Sequence, residues 1–578
     1  CGEIELTAKY SEQMSQLCMN EDYSDVVFII DGVHRIPAHR IILAARSNYF
    51  RALLYGGMAE SRQHEVQLKI PLEAFKALLK YVYSGNMSLS QMKEENVLDT
   101  LGLAHLYGFT ELESAISAYL HKILSLDNVC ATLDAAHLYQ LDTLIDICYK
   151  FLDRNAAEIL RHESFKNLSQ DSLCGLLERD SFFVPEIKIF VAVSEWSKFN
   201  DGADIKAVVS RIRLPLMKLD QLLNIVRPTG ILNPNDLLDA IQEKTTGKYL
   251  NYRGNLWIGE NIALSKHGSK MLTGIGQSIL DGDTVASYDM EKGYARHEIK
   301  DGDNGIIVEL GSMFIINRIN ILLWDRDTRS YSYYIEVSVN KEQWERVIDY
   351  SSYSCRSWQF LYFPARSVQY IKIVGTHNTI NKVFHCVALE ALYDSIEIPT
   401  IGGILVPKHN VATIEKSATV IEGVSRTRNA LLNGDTKNYD WDSGYTCHQI
   451  GSGVIFVQLG QPYYISSLRL LLWDCDDRSY NFYIETSFDQ KTWDIVVDKR
   501  NEECKSWQTF VFEPRVVIYI KINGTFNTAN EIFHCVHFEC PSQDFSQIKN
   551  ENNKALNTVT VAGPSSTNTT NNQNQNNS

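Results

Sequence analysis

Two pentapeptides in this chain carry the residue types that hold cations: Asp325-Arg326-Asp327-Thr328-Arg329 and Asp474-Cys475-Asp476-Asp477-Arg478. Alternating carboxylates could coordinate Ca²⁺, but such a site takes about six to eight oxygens, and each segment places an arginine two residues after its second aspartate. An Asp–Arg ion pair that braces the loop is the simpler expectation. His385-Cys386 and His534-Cys535 look like ligands, yet an adjacent pair without a second pair is poor zinc spacing, so packing on a final strand is expected. His39 has no second ligand at a helical or hairpin spacing and reads as a satisfied, partly buried histidine at a helix start. The chain contains no Gly-x-Ser-x-Gly, no Walker-type glycine loop and no His-Glu-x-x-His. These residues predict no catalytic centre, no metal site and no cofactor.

The paired segments belong to a long repeat. Residues 319–390 return at 468–539 without insertion or deletion, so Trp324-Asp325 becomes Trp473-Asp474 at an offset of 149 (473 − 324). The same offset carries Trp344 to Trp493, Ser357-Trp358-Gln359 to Ser506-Trp507-Gln508, and Phe384-His385-Cys386 to Phe533-His534-Cys535. Just upstream, Lys292-Gly293-Tyr294-Ala295-Arg296-His297 drifts to Ser443-Gly444-Tyr445-Thr446-Cys447-His448, at an offset of 151 (443 − 292). A period this long is domain-sized, well above the roughly 20–50 residues of solenoid units. Both copies must fold, so the shared Trp324, Asp325, Asp327 and Arg329, with Trp473, Asp474, Asp476 and Arg478, are expected to maintain structure. The drifting loops near 284–296 and 436–447 are the places expected to take ligands.

The elements that must position these residues differ along the chain. Asp25–Ile30 reads as a strand, Asp31-Gly32 as a hairpin turn and Val33–Ala38 as the returning strand. Helical spacing follows at 39–45 and 47–54, a strand at Glu65–Leu68, and helices at about 71–83, 94–107 and 111–123. From Leu126 to about Glu243 the pattern is helical throughout. Residues 255–394 and 405–541 instead hold short strands: Ile306–Gly311, Ile319–Trp324, Tyr331–Val339 and Gln369–Val374 are each expected to end at turn residues, as in a β-sandwich. Residues 542–578 form a polar tail too poor in apolar groups to fold.

Length and composition set the remaining bounds. A chain of 578 residues suggests about three to five domains. A net charge of −15 argues against a sequence-independent grip on nucleic acid. No stretch approaches the ~18 apolar residues of a membrane span. Twelve scattered cysteines without a Cys-x-x-Cys pair read as reduced thiols of a cytosolic or nuclear protein, with pairing of the matched cysteines as the alternative. A start at Cys1 reads as a fragment and leaves an upstream targeting segment open.

Several separated motifs agree in order with known families. Asp25-Val26, His39, Leu43-Ala44, Ser47, Tyr49-Phe50, Tyr81–Gly85 and Ala104–Tyr107 make residues 20–123 resemble a BTB (POZ) domain. That resemblance implies an α/β homodimerisation module, with Asp25 and Arg40 near the dimer pocket. It also implies that Met58-Ala59-Glu60 stands where BTB adaptors place an apolar-x-Glu contact for a cullin scaffold of the cullin-3 type. Ala135–Tyr139, Phe165–Ser169 and Glu186–Trp196 make residues 126–243 resemble the all-α BACK domain, which implies a helical arm whose Leu126 and Val129 extend the cullin contact. Leu280–Asp283, Val308–Gly311, Ile335–Ser338 and Tyr370–Ile373, repeated in the second copy, resemble discoidin (coagulation factor five/eight C-type) jelly rolls. The fold class is thus multidomain α+β: BTB, BACK, two discoidin-like sandwiches and a disordered tail. The order implies a non-catalytic dimeric adaptor of a cullin–RING ubiquitin ligase in the cytoplasm, its sandwiches holding a substrate protein. A dimeric scaffold without ligase work, at neuronal, synaptic or nuclear sites, and a glycan-binding lectin are the alternatives.

Overall fold

The computed structural model describes residues 7–57, 59–247, 250–276, 278–282, 288–289, 291–300, 302, 305–396, 398–427 and 429–541. The expected tail therefore lies outside the described residues, as does Met58. The chain divides after Asn255 into two compact units.

The first unit begins with helix α1 (Thr7–Gln16) and strands β1 (Val26–Ile30) and β2 (His34–Ala38). Helices α2 (Arg40–Arg46) and α3 (Asn48–Tyr55), strand β3 (Glu65–Leu68) and helices α4 (Leu72–Ser84), α5 (Glu94–Leu106) and α6 (Thr110–Ile123) follow. The small sheet runs β2-β1-β3, with β2 antiparallel and β3 parallel to β1. All five β1 residues are buried, because α-helices cover this short central strand. Phe28 meets Phe75 edge-on at 5.3 Å and Phe50 at 6.0 Å. Gly85 ends α4 at φ +74°, a left-handed cap that a Cβ would strain.

Helices continue through α7 (Val129–Leu138), α8 (Asp142–Arg154), Gln170–Glu178, Glu186–Trp196 and Pro234–Thr246. One apolar core extends from Val26 to Ala240, so both helical segments share it. Asn128, just ahead of α7, binds the preceding loop, accepting from Ser125 N (2.9 Å) and donating to the Ile123 carbonyl (3.0 Å). Ser169 caps the Gln170 helix, accepting from Ser172 N. The unit is closed by Arg253, which donates to Glu186 Oε1 at 2.7 Å and to the carbonyls of Arg179 and Leu177.

In the second unit, the first sandwich comprises β4 (Lys270–Thr273), β5 (Ala295–Glu298), β6 (Ile306–Leu323), β7 (Tyr331–Ser338), β8 (Glu345–Cys355), β9 (Trp358–Asn378) and β10 (Val383–Leu392). Its strand order is β5-β10-β6-β9-β7-β8, with β4 on β6. After the linking pair of strands β11 (Thr400–Ile401) and β12 (Ile404–Leu405), the second copy follows. It comprises β13 (Thr419–Glu422), β14 (Val424–Ser425), β15 (Thr446–Gln449), β16 (Ile455–Leu472), β17 (Tyr480–Ser487), β18 (Asp494–Cys504), β19 (Trp507–Asn527) and β20 (Ile532–Glu539). Its order β15-β20-β16-β19-β17-β18 repeats the first.

One expectation is corrected here. Ile306–Gly311 and Ile319–Trp324 are not separate strands but parts of the 18-residue β6, and Gln369–Val374 lies inside the 21-residue β9. Turn residues bend these strands without ending them. Register shifts between Glu309 and Phe314 and between Ile316 and Arg318 mark the bends. The buried set Ile306, Val308, Leu310, Phe314, Ile316 then resumes at Ile319, Ile321, Leu323. At the second irregularity two steps along β6 (316 to 318) face four along β9 (366 to 362), and the buried positions change parity there, so the same face stays inward after the bend.

Glu186→Ala would leave the Arg253 guanidinium buried without its counter-ion. We expect a loss of about 3–5 kcal/mol, seen as a clear drop in the melting temperature of the first unit. A wild-type melting curve would mean that the carbonyl acceptors alone satisfy Arg253.

Candidate functional site

The loop after α3 is fastened by one side chain. Arg40 donates to the carbonyls of Asp25 (3.2 Å), Leu54 (3.0 Å), Ser61 (2.8 Å) and Gln63. Asp25 Oδ1 in turn accepts from Arg40 N at 2.7 Å, holding the first turn of α2. Arg40 thereby pins the end of α3 and the far side of the turn Ala59–Arg62, which carries the backbone of Ala59 and Glu60. Asp25 is exposed and Arg40 half-buried. Leu126 is half-buried ahead of α7, whereas Val129 is fully buried and packs in the core, where it offers a partner no surface. His39 is buried with both ring nitrogens bonded, Nδ1 to the Tyr83 hydroxyl (2.8 Å) and Nε2 to the Asp22 carbonyl (2.9 Å).

The duplicated motif fastens a second kind of loop. Asp327 takes the Arg329 guanidinium in a fork, Nε at 2.8 Å and Nη2 at 2.6 Å, and the fork lies 4.1 Å over the Trp324 ring. Asp476 and Arg478 repeat the fork at 2.8 Å for both bonds, 4.3 Å from the Trp473 ring. The arginine's hydrogen bonds hold each carboxyl below the usual carboxylate range, so the pair stays ionised. Both carboxylate oxygens of each pair are occupied by an arginine, which is the ion-pair arrangement expected from the sequence.

Trp324 (2% exposed) and Trp473 (1%) lie in small clusters beside the main sandwich cores. Each donates its indole N–H to a carbonyl in the drifting loop, Trp324 to Asp289 at 2.8 Å and Trp473 to Asp440 at 3.1 Å. The neighbouring tyrosines complete the attachment: Tyr288 donates to Asp325 Oδ1 (2.6 Å) and Tyr439 to Asp474 Oδ1 (2.7 Å). Burial, then the bond to the carboxylate, pushes both phenols well above their ordinary value. His385 and His534 sit behind the motif, bonded through Nδ1 to Tyr331 and Tyr480. Burial, then the adjacent arginine, lowers both to about 4, so they are neutral at pH 7. Sequence reasoning missed Tyr288 and Tyr439. They match only at the local offset of 151 (439 − 288), the same shift that carries His297 to His448.

The loops themselves differ. Trp441 in the second copy is 62% exposed, stands 4.6 Å from Trp473 and has Arg478 at 5.1 Å. Residues 283–287 and 290 of the first copy's loop lie outside the described residues. The eleven cysteines among the described residues are unbridged, and these residues hold no group of three or more His, Cys, Asp or Glu side chains arranged to hold a metal.

Comparison with known proteins defines the class. The BTB/POZ domain model matches residues 14–124, the BTB And C-terminal Kelch (BACK) model residues 129–227, and the F5/8 type C domain model residues 413–538. The first sandwich, outside the last match, repeats the strand order of the second. These are the parts of a BTB–BACK protein with discoidin-type sandwiches. The chain is 58% identical over 548 residues to BTB/POZ domain-containing protein 9 of Drosophila melanogaster, covering 94% of this chain and 76% of that one. It is 54% identical over 562 residues to BTB/POZ domain-containing protein 9 of Homo sapiens, covering 96% and 91%. The chain belongs to the BTB/POZ domain-containing protein 9 family. Among solved structures, CpGH89CBM32-6 produced by Clostridium perfringens aligns at 17% identity over 23% of this chain and 99% of that one, with a TM-score of 0.19.

Trp324→Ala or Trp473→Ala removes a buried ring and the hydrogen bond that holds its loop, and should cost about 3–5 kcal/mol. Substituting only exposed positions of the loops near 284–296 or 436–447, such as Glu291 and Lys292 or Trp441 and Asp442, while keeping Tyr288, Tyr294, Tyr439 and Tyr445, should leave melting near wild type and alter which proteins are captured, as proximity labelling would show. If the Trp variants melt like wild type yet lose partners, the shared motif itself is the binding surface.

Proposed function

We propose that this chain is a non-catalytic, dimeric substrate-recognition adaptor of a cullin–RING ubiquitin ligase. The BTB segment pairs two chains, with Asp25 and Arg40 beside the pocket where they meet. The BTB and BACK segments bind a cullin-3-type scaffold, and the two sandwiches hold a substrate protein through their drifting loops. The observation that carries this reading is the Arg40-pinned turn Ala59–Arg62. It follows α3, where BTB adaptors contact their scaffold, and Arg40 fixes its backbone to α2 and to the end of α3 rather than leaving it to find its place on binding. Met58 supplies an apolar plug and Glu60 a charge for a basic partner, while Leu126 extends the contact on the helical side. Val129 supports that side from the core.

Ubiquitin transfer then belongs entirely to the partners, and the adaptor contributes proximity between substrate and ligase. The chain needs no cofactor, metal or nucleic acid for this role. No described helix is long and apolar enough to cross a membrane, and the proposed work is cytoplasmic.

The double variant Met58→Ala, Glu60→Lys in the full chain should bind the cullin N-terminal domain about 100-fold more weakly, roughly 3 kcal/mol, with unchanged native mass and melting temperature. Wild-type affinity would remove the tripeptide from the contact and favour a scaffold that works without a ligase.

A further inference from the structure

The two sandwiches meet through faces that are not equivalent, and the repeat supplies a control for each side of the contact. On the second sandwich, Gln458 Nε2 donates to Ser330 Oγ at 3.1 Å and to the Ser354 carbonyl at 3.5 Å. Gln461 pairs with the main chain of Phe360, accepting from its N–H at 2.6 Å and donating to its carbonyl at 3.0 Å. The Gly460 carbonyl accepts from Arg356 N at 2.9 Å and from Gln359 Nε2 at 2.8 Å. Gln359 and Gln461 are both 0% exposed. Tyr464 and Val516 of the second copy pack against the core of the first.

The first sandwich thus offers a socket (Ser330, Ser354, Arg356, Gln359, Phe360) and the second a plug (Gln458, Gly460, Gln461). Such a heterologous contact can repeat without end, because each unit keeps an unused plug or socket. Here both unused halves are altered. In the second copy, Ser354 is replaced by Glu503, whose Oε2 accepts from Ser479 Oγ at 3.0 Å. Ser479 corresponds to Ser330, so this carboxylate holds the hydroxyl that would receive a glutamine. In the first copy, Gln458 is replaced by Glu309, which accepts from Lys270 Nζ and from the Tyr370 hydroxyl, each at 2.9 Å. A carboxylate has no N–H to give a serine oxygen or a carbonyl, and it would face Glu503.

We infer that this surface is a one-way lock for the second sandwich of the same chain, specified by Gln458 and Ser354, and that Glu309 and Glu503 keep chains from joining end to end. The amides of Arg356 and Phe360 report the lock, since their bonds run across it. In the full chain, Gln458→Glu should speed hydrogen exchange at both by about tenfold or more while Ile335 and Ile484, inside their own sandwiches, keep wild-type protection. The first copy already carries glutamate at this position, so the sandwich fold tolerates the change. Unchanged exchange at Arg356 and Phe360 would overturn the lock. Because Ser312 stands where the plug has Gln461, the triple variant Glu309→Gln, Ser312→Gln, Glu503→Ser restores both halves and should self-associate beyond the wild-type mass as concentration rises in light scattering, while restoring either glutamate to it should return the wild-type mass. A wild-type mass for the triple variant, or continued growth with either glutamate restored, would overturn the role of the two glutamates.

Discussion

A guanidinium withdrawn from water must find acceptors for its fixed fork of donors, and this chain uses that requirement at each segment that matters. Arg40 gathers four carbonyls around the turn after α3. Arg253 brings the end of the first unit back onto Glu186 and two carbonyls. Arg329 and Arg478 each close on an aspartate over a tryptophan ring, and that tryptophan holds a loop. Arg40 and Arg253 tie connecting segments directly to the helices, whereas Arg329 and Arg478 brace the tryptophan that ties the loop.

This division of labour explains why duplication preserved some residues and released others. The Asp–Arg fork, its tryptophan and the histidine behind it build the attachment, so both copies need them. What is attached can vary, and Trp441 shows how far the second copy's loop has gone toward an exposed aromatic surface. At the contact between the sandwiches the same freedom was used for the opposite purpose. Glu309 and Glu503 depart from Gln458 and Ser354, and each departure makes one face unfit to repeat the contact.

Much of this was legible from local pattern. The hairpin at Asp31-Gly32 and the Asp–Arg pairs rest on neighbours within a few residues, and the structure has them where the spacing put them. The long strands were misread because a bulge looks like a turn in sequence; only pairing along β9 shows that β6 continues. Arg253 finds Glu186 across 67 positions, and no periodicity announces such a pair. Val129 sits on an amphipathic helix whose buried face could be told from its exposed one only after α8 was packed against it. Tyr288 and Tyr439 were hidden by the shift in offset between the drifting loop and the strands.

The adaptor reading joins two properties in one particle, pairing through the BTB segment and occupancy by a scaffold. Sedimentation velocity of the full chain, alone and with the N-terminal domain of a cullin-3-type scaffold, tests both together. The expected result is a particle of about 130 kDa, twice the 65.8 kDa chain, that takes up two cullin domains at micromolar concentration. A 65.8 kDa species that sediments independently of the cullin domain would contradict it.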